Sequence, residues 1–178
     1  TEITLNTSRD EVAVCNLGSV NLAQHVVDGE FDMKKLKKTV RTAVRMLDNV
    51  LDATPWPLPR QQGEARAKRR IGLGFLGLGD TLVMLGVRYD SEEGRALAQR
   101  IAETMRNRAY RASIELAQEK GAFPLFDARF IESKFVQRLP EAIRLDIAKR
   151  GIRNSHLLSI APTGTISLAF ADNASNGI

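Results

Sequence analysis

The sequence predicts a helix-rich α/β fold, with long amphipathic helices in the middle and short strands near both ends. Apolar residues recur at helical spacing over residues 33–51 and 97–116. Short apolar runs lead into small polar residues over 11–23 and 157–167. A chain of 178 residues with 43% hydrophobic content can bury a core, so we expect residues 1–178 to form one domain segment.

The composition narrows the functional classes. The single cysteine, Cys15, excludes an internal disulfide framework and any multi-cysteine metal site. No signal peptide or membrane-length apolar run is present, which predicts a cytoplasmic protein without a membrane partner. A net charge of +5 permits a nucleotide, nucleic acid or acidic protein as partner, without choosing among them. The abrupt ends predict a piece of a longer chain.

A first strand is predicted over residues 11–15, before an amide-rich stretch at 16–23. Cys15 stands where the two meet. A lone cysteine is most often a small buried hydrophobic residue. The alternative is a redox thiol or nucleophile, which needs an exposed position and a partner group. The chain contains no second cysteine to serve as that partner.

The helices are predicted from their caps. Asp32 caps a helix that ends near Ala53, and its lysine- and arginine-rich face is expected to be solvated. The following connector, residues 54–70, ends in a basic cluster that we also expect to be a solvated loop. Asp90 and Glu93 form a capping box for a helix that runs to Lys120. A further helix begins at Pro140 and ends at Gly151.

Residues 72–77 match the dinucleotide fingerprint G-x-G-x-x-G. That fingerprint requires a buried strand directly before it, and here basic residues precede it. The glycines therefore predict close packing against a neighbouring element, followed by a helix to about Leu85.

The stretch that carries most chemistry follows a predicted buried strand, Leu157 to Ile160. Proline ends the strand, glycine permits close approach of a ligand, and three hydroxyls follow. A helix that starts after Thr165 would add free N–H groups, a combination that suits phosphate. The alternative is a turn with a capping threonine. The loop consists of Pro162, Thr163, Gly164, Thr165, Ile166 and Ser167.

Four motifs resemble, in the same order, those of the ribonucleotide reductase large (catalytic) subunit. They are residues 1–22, 69–74, 151–155, and 161–167 with 176–178. The resemblance covers nearly the whole chain. It implies a partial segment of the family's ten-stranded α/β barrel, and an enzyme that reduces ribonucleoside di- or triphosphates by thiyl-radical chemistry.

The resemblance also implies residue roles. Glu2 matches the glutamate of the family's Asn-x-Cys-x-Glu finger loop, which acts as a base on the 3′ hydroxyl of the ribose. Cys15 matches one of two cysteines that reduce the substrate and form a disulfide, and its partner would lie upstream. Because the pKa of a free cysteine is about 8.5, a thiol that donates a proton at neutral pH needs no large pKa shift. Residues 162–167 would hold the substrate phosphates.

Two classes of reductase are compatible with these motifs. The loop resembles that of adenosylcobalamin (vitamin B12)-dependent enzymes and favours this cofactor, although none of its contacts is assigned here. Residues 10–15 are also similar to class I subunits, which work with a separate metal-containing radical subunit. Either class implies a ribonucleotide substrate, a thioredoxin- or glutaredoxin-type reductant and the remainder of the same chain, and permits a homodimer.

Two other functions remain open. The basic composition would suit a helical nucleic-acid-binding module, which predicts salt-dependent binding. A helical protein-interaction domain would bind neither nucleotide nor phosphate. Glu2, Cys15 and the 162–167 loop argue against both, and no metal-ligand spacing is present.

Overall fold

The structure is a computed structural model that describes residues 5, 7–170 and 177–178. Helices dominate the described chain, which confirms the helix-rich α/β prediction. Two short 3₁₀ helices, Ala23–His25 and Val136–Arg138, accompany the longer elements. In chain order the elements are β1 (Asn16–Asn21), β2 (Val26–Val27), β3 (Glu30–Phe31), α1 (Met33–Ala53), α2 (Pro59–Lys68), β4 (Ile71–Leu76), α3 (Leu78–Met84), α4 (Glu92–Lys120), α5 (Ala128–Glu132), α6 (Glu141–Arg150) and α7 (Gly164–Phe170).

The main sheet pairs β1 with β4 in parallel, with Asn16 opposite Ile71 and Asn21 opposite Leu76. Residues 156–160, here named the edge segment, run parallel to β4 on its other side. The edge segment forms one bridge, between Leu73 and Leu158, rather than the regular strand predicted at 157–160. Strands β2 and β3 form a separate antiparallel hairpin.

Helix α1 packs on β1 and β4, and α4 packs against α1. The Asp32 carboxylate accepts hydrogen bonds from the backbone N–H groups of Lys34 and Lys35, at 2.9 and 2.8 Å, which confirms the predicted cap. The basic face of α1 is solvated as predicted, and two of its arginines pair with glutamates on α4. The apolar face of α1 is buried through Leu36, Val40, Val44, Leu47 and Leu51.

Three further local predictions are wrong. The first strand is residues 16–21 rather than 11–15, because pairing with β4, not local hydrophobicity, selects it. The connector at 54–70 contains α2, with Pro59 in its first turn, where a missing N–H is harmless. Ser91 rather than Asp90 caps α4, since the Ser91 hydroxyl accepts from the Gly94 N–H at 3.0 Å.

Gly72 and Gly74 lie within β4 itself, not in a turn after a strand as a dinucleotide fingerprint requires. A Cβ added to Gly74 would lie 2.2 Å from the Ser159 carbonyl oxygen. The close-packing interpretation is therefore confirmed, and α3 follows as predicted and ends at Met84.

Candidate functional site

The 162–167 loop lies at the carboxyl ends of the parallel strands. The edge segment runs beside β4 and leads directly into the loop. The Gly77 N–H, just after β4, donates to the Gly177 carbonyl oxygen at 2.9 Å. A Cβ added to Gly177 would lie 2.7 Å from the Pro162 oxygen. Ligands of parallel α/β sheets bind at this end of the strands.

Two of the three predicted hydroxyls are used inside the loop. Thr163 has a left-handed backbone, with φ of 56°, and its hydroxyl donates to the Pro162 carbonyl oxygen at 2.8 Å. The buried Ser167 hydroxyl donates to the Gly164 carbonyl oxygen at 2.7 Å. The Thr165 side chain is exposed, so its hydroxyl is the one that faces solvent. Helix α7 begins at Gly164, earlier than the predicted start after Thr165.

Asn21 connects the end of β1 to the far end of α7. Its side-chain amide donates to the Phe170 carbonyl oxygen, and its oxygen accepts from the Ala23 N–H at 3.0 Å. The sequence showed this position only as one member of an amide-rich stretch. The structure adds Asn21 to the residues that hold α7 against the sheet.

Cys15 lies directly before β1, half-buried, with its sulfur 3.8 Å from the Asn16 carbonyl oxygen. Burial raises the pKa of the thiol to about 11, and the nearby positive charge of Arg70 opposes that rise. The raised pKa keeps Cys15 protonated at neutral pH, as a proton or hydrogen donor must be.

The structure does not bring Cys15 next to the 162–167 loop. Cys15 precedes the amino end of β1, whereas the loop follows the carboxyl end of the edge segment, which runs parallel to β4. A Cβ added to Gly18 would contact Leu47 of α1, so alternation places Cys15, Ser19 and Asn21 on the opposite face of β1. Glu2 and Asn176 lie outside the described residues.

The thiol of Cys15 should react slowly, with a rate that still rises at high pH. Because the thiolate is the nucleophile, alkylation by iodoacetamide should increase about tenfold per pH unit from pH 7 to about pH 10. Mass spectrometry of the peptide that contains Cys15, taken from the full-length protein, measures this rate. A synthetic peptide of residues 13–18 is the control and should level off above about pH 8.5. The same plateau in the protein would contradict the buried environment.

The described residues, 5, 7–170 and 177–178, contain no helix long and apolar enough to cross a membrane. The same residues contain no group of three or more His, Cys, Asp or Glu side chains placed to hold a metal ion.

The whole chain, residues 1–178, matches the sequence family described as the ribonucleotide reductase barrel domain. The chain belongs to the ribonucleotide reductase family. The parallel β1–β4 pair with helices on one face is a partial segment of the reductase α/β barrel, as predicted. Known reductases are similar over most of this segment.

A vitamin B12-dependent ribonucleoside-diphosphate reductase of Mycobacterium tuberculosis is 44% identical over 154 residues, which cover 86% of this chain and 20% of the relative. The ribonucleoside-diphosphate reductase subunit alpha of Chlamydia muridarum is 39% identical, over 94% of this chain and 18% of the relative. The large subunit of the Variola virus enzyme is 33% identical, over 98% of this chain and 24% of the relative. The chain thus spans about a fifth of the length of the curated reductases it matches.

Proposed function

We propose that the parent protein is a ribonucleoside-diphosphate reductase, an oxidoreductase that makes deoxyribonucleotides, and that residues 1–178 are one segment of its catalytic barrel domain. The observation that carries this proposal is the match of the entire chain to the barrel domain. The three relatives described above are all named as diphosphate reductases, which favours a ribonucleoside diphosphate over a triphosphate.

We propose adenosylcobalamin as the cofactor of the parent enzyme. The name of the Mycobacterium relative and the sequence Ala161-Pro162-Thr163-Gly164-Thr165 support it. When bound, this cofactor supplies the radical that starts the reaction. We assign none of its contacts to the described residues.

The alternative is a class I enzyme with a separate radical subunit. The relatives named as subunit alpha and large subunit support this alternative, because those names imply a partner subunit. The deciding experiment assays ribonucleotide reduction by the full-length protein with a dithiol, with and without adenosylcobalamin and with no second subunit. Activity only with adenosylcobalamin supports the cobalamin class. Activity that requires a metal-bearing subunit supports class I, and no activity under either condition overturns the reductase proposal.

Residues 162–167 are proposed to bind the substrate phosphates. Their position at the carboxyl ends of β4 and the edge segment, and the solvent-facing Thr165 hydroxyl, support this role. Thr163 and Ser167 shape the loop, since each donates its hydroxyl hydrogen to a loop carbonyl. Pro162, Gly164 and Ile166 complete the loop backbone.

Replacing Thr165 by alanine should weaken binding of the nucleotide. A hydrogen bond to a charged group contributes about 1.5 kcal/mol or more, so KM for the ribonucleoside diphosphate should rise about tenfold. The value of kcat should change little, because the diphosphate is not the reacting group. Steady-state kinetics of the full-length enzyme measure both constants. Thr42→Ala, which removes an exposed threonine hydroxyl of α1, is the control, and an equal KM in the two variants would contradict the loop assignment.

The redox chemistry is assigned to Cys15 and an upstream cysteine. Loss of the 2′ hydroxyl as water requires two electrons, which the two thiols supply as they become a disulfide. A thioredoxin- or glutaredoxin-type reductant then restores the thiols. Glu2 is proposed as the base on the 3′ hydroxyl. We further propose a cytoplasmic enzyme, compatible with a homodimer.

Ion pairs within the chain weaken the case for a nucleic-acid-binding module. Arg69 and Arg70 of the basic cluster are buried, at 3% and 5% exposure, and both pair with carboxylates. Arg41 and Arg45 on α1 pair with Glu115 and Glu119. These four cations are already neutralised within the chain.

A further inference from the structure

One buried carboxylate contacts both of the sequence motifs that have no role in the proposed reaction, residues 69–74 and 151–155. Asp48 of α1 is fully buried. Its Oδ1 accepts from Arg69 Nε and from Asn154 Nδ2, each at 2.9 Å. Its Oδ2 lies 3.4 Å from Arg153 Nε and 3.8 Å from Lys120 Nζ. We name Asp48, Arg69, Asn154, Arg153 and Lys120 the Asp48 network. A buried charge persists only with such compensation.

Arg69 enters the network through an unusual backbone. Its φ is 46°, in the left-handed region that few non-glycine residues adopt. Its guanidinium donates to both carboxylate oxygens of Asp52, at 2.8 and 2.9 Å, and to the Asp48 carbonyl oxygen at 3.0 Å. These bonds fix Arg69 against α1 immediately before β4 begins.

Asn154 is the member that joins the two strands. Its side-chain amide also donates to the Arg69 carbonyl oxygen at 3.1 Å. Its Oδ1 accepts from the Ser113 hydroxyl of α4 at 2.8 Å, and its own N–H donates back to that hydroxyl at 3.1 Å. Asn154 is fully buried, and its side chain is hydrogen-bonded to α1, to α4 and to Arg69 just before β4.

Both neighbouring strands start from this point. Strand β4 begins two residues after Arg69, and the edge segment begins two residues after Asn154. Beyond the network, the Leu73 N–H donates to the Leu157 carbonyl and the Ser159 N–H to the Leu73 carbonyl. The ladder between them has one bridge, and β4 contains two glycines. Glycine-rich strands specify register weakly.

The register of the edge segment determines where the 162–167 loop lies. Only Ala161 separates Ile160 from Pro162, so any shift of the edge segment passes directly to the loop. A slip of one residue moves the chain by ~3.3 Å along the strand. That displacement exceeds the whole range of hydrogen-bond lengths, about 0.5 Å. A slipped loop would lose its contacts with a phosphate.

We propose that Asn154, held by Asp48 and Ser113, is a positioning residue for the 162–167 loop: it fixes the register of the edge segment against β4. This inference rests on the proposed function, because the loop matters only if it binds a ligand. Asn154 lies at the opposite end of the edge segment from the loop and touches no substrate.

Hydrogen exchange in the full-length protein tests the register directly. Asn154→Ala removes the side-chain hydrogen bonds of Asn154. Ser113→Ala is a second variant, in case the first fails to fold, because it removes two hydrogen bonds of Asn154 with a smaller change. The amides of Leu73 and Ser159 should exchange at least about tenfold faster in either variant. Ile101→Val is the control: it lies on α4 ~18 Å along the helix from Ser113 and should leave these amides protected. Equal protection in Ser113→Ala and Ile101→Val overturns the proposal.

Kinetics separate this inference from the proposed function. Ser113→Ala should raise KM for the ribonucleoside diphosphate about tenfold and change kcat less than about twofold. The reason is that a displaced loop weakens binding of the substrate and of the transition state equally. Ile101→Val should change neither constant. If Thr165→Ala raises KM and Ser113→Ala does not, the positioning role is overturned and the proposed function stands. If the full-length protein reduces no ribonucleotide, the proposed function fails and the inference fails with it.

Discussion

Replacing Cys15 by serine in the full-length enzyme is expected to stop sustained ribonucleotide reduction, with deoxyribonucleotide formation falling to background. A serine hydroxyl cannot form a disulfide, so the substrate loses one of the two groups proposed to supply electrons. The fold should tolerate the change, because Cys15 is half-buried and its sulfur makes one long contact, with the Asn16 carbonyl oxygen. The free energy of unfolding should change by less than about 1 kcal/mol.

The measurement is chromatographic detection of the deoxyribonucleotide over many turnovers, with a thioredoxin-type reductant. Ser19→Ala is the matched control, because Ser19 lies on the same face of β1 and offers no redox chemistry. Ser19→Ala should retain turnover within a few fold. Sustained turnover by Cys15→Ser at the rate of this control would remove Cys15 from the redox pair and leave the 162–167 assignment untouched.

The long helices could be predicted from the sequence because their information is local. The Asp32 cap, the prolines after Ala53 and the glycine after Lys120 all act within one or two turns. Strand β1 could not be located in the same way. Residues 11–15 are more apolar than 16–21, yet the latter pair with β4, and that partner lies more than fifty residues away.

The site shows the same division between local and distant information. Hydroxyls, glycine and proline at 162–167 indicated a loop able to hold phosphate, and the structure places that loop at the carboxyl ends of the strands. Which hydroxyl remains free depends on folding, since Thr163 and Ser167 turn inward and Thr165 does not. The basic cluster was wrongly expected to be solvated, because its partner Asp48 stands about twenty residues earlier on a helix.

The residue with the largest expected effect on stability could not be recognised from the sequence, because its partners lie far from it along the chain. Asp48→Asn should lower the free energy of unfolding by about 3–5 kcal/mol, the usual effect of removing one partner from a buried ion pair. The substitution keeps the shape of the side chain but removes its charge. It also turns one oxygen, an acceptor for Arg69 and Asn154 or for Arg153, into an amide donor that faces their N–H groups.

Hydrogen exchange of the slowest amides in α1 and β4 of the full-length protein measures this loss as a free energy of opening. Glu119→Gln is the matched control, since it makes the same carboxylate-to-amide change in an exposed pair with Arg45. An exposed pair contributes about 0–1 kcal/mol, so the control should change stability little. Both variants lose one carboxylate that is hydrogen-bonded to an arginine, but Asp48 is buried and also accepts from Asn154, whereas Glu119 is exposed. Equal effects would mean that water reaches Asp48 in solution and that the Asp48 network does not hold β4 and the edge segment together.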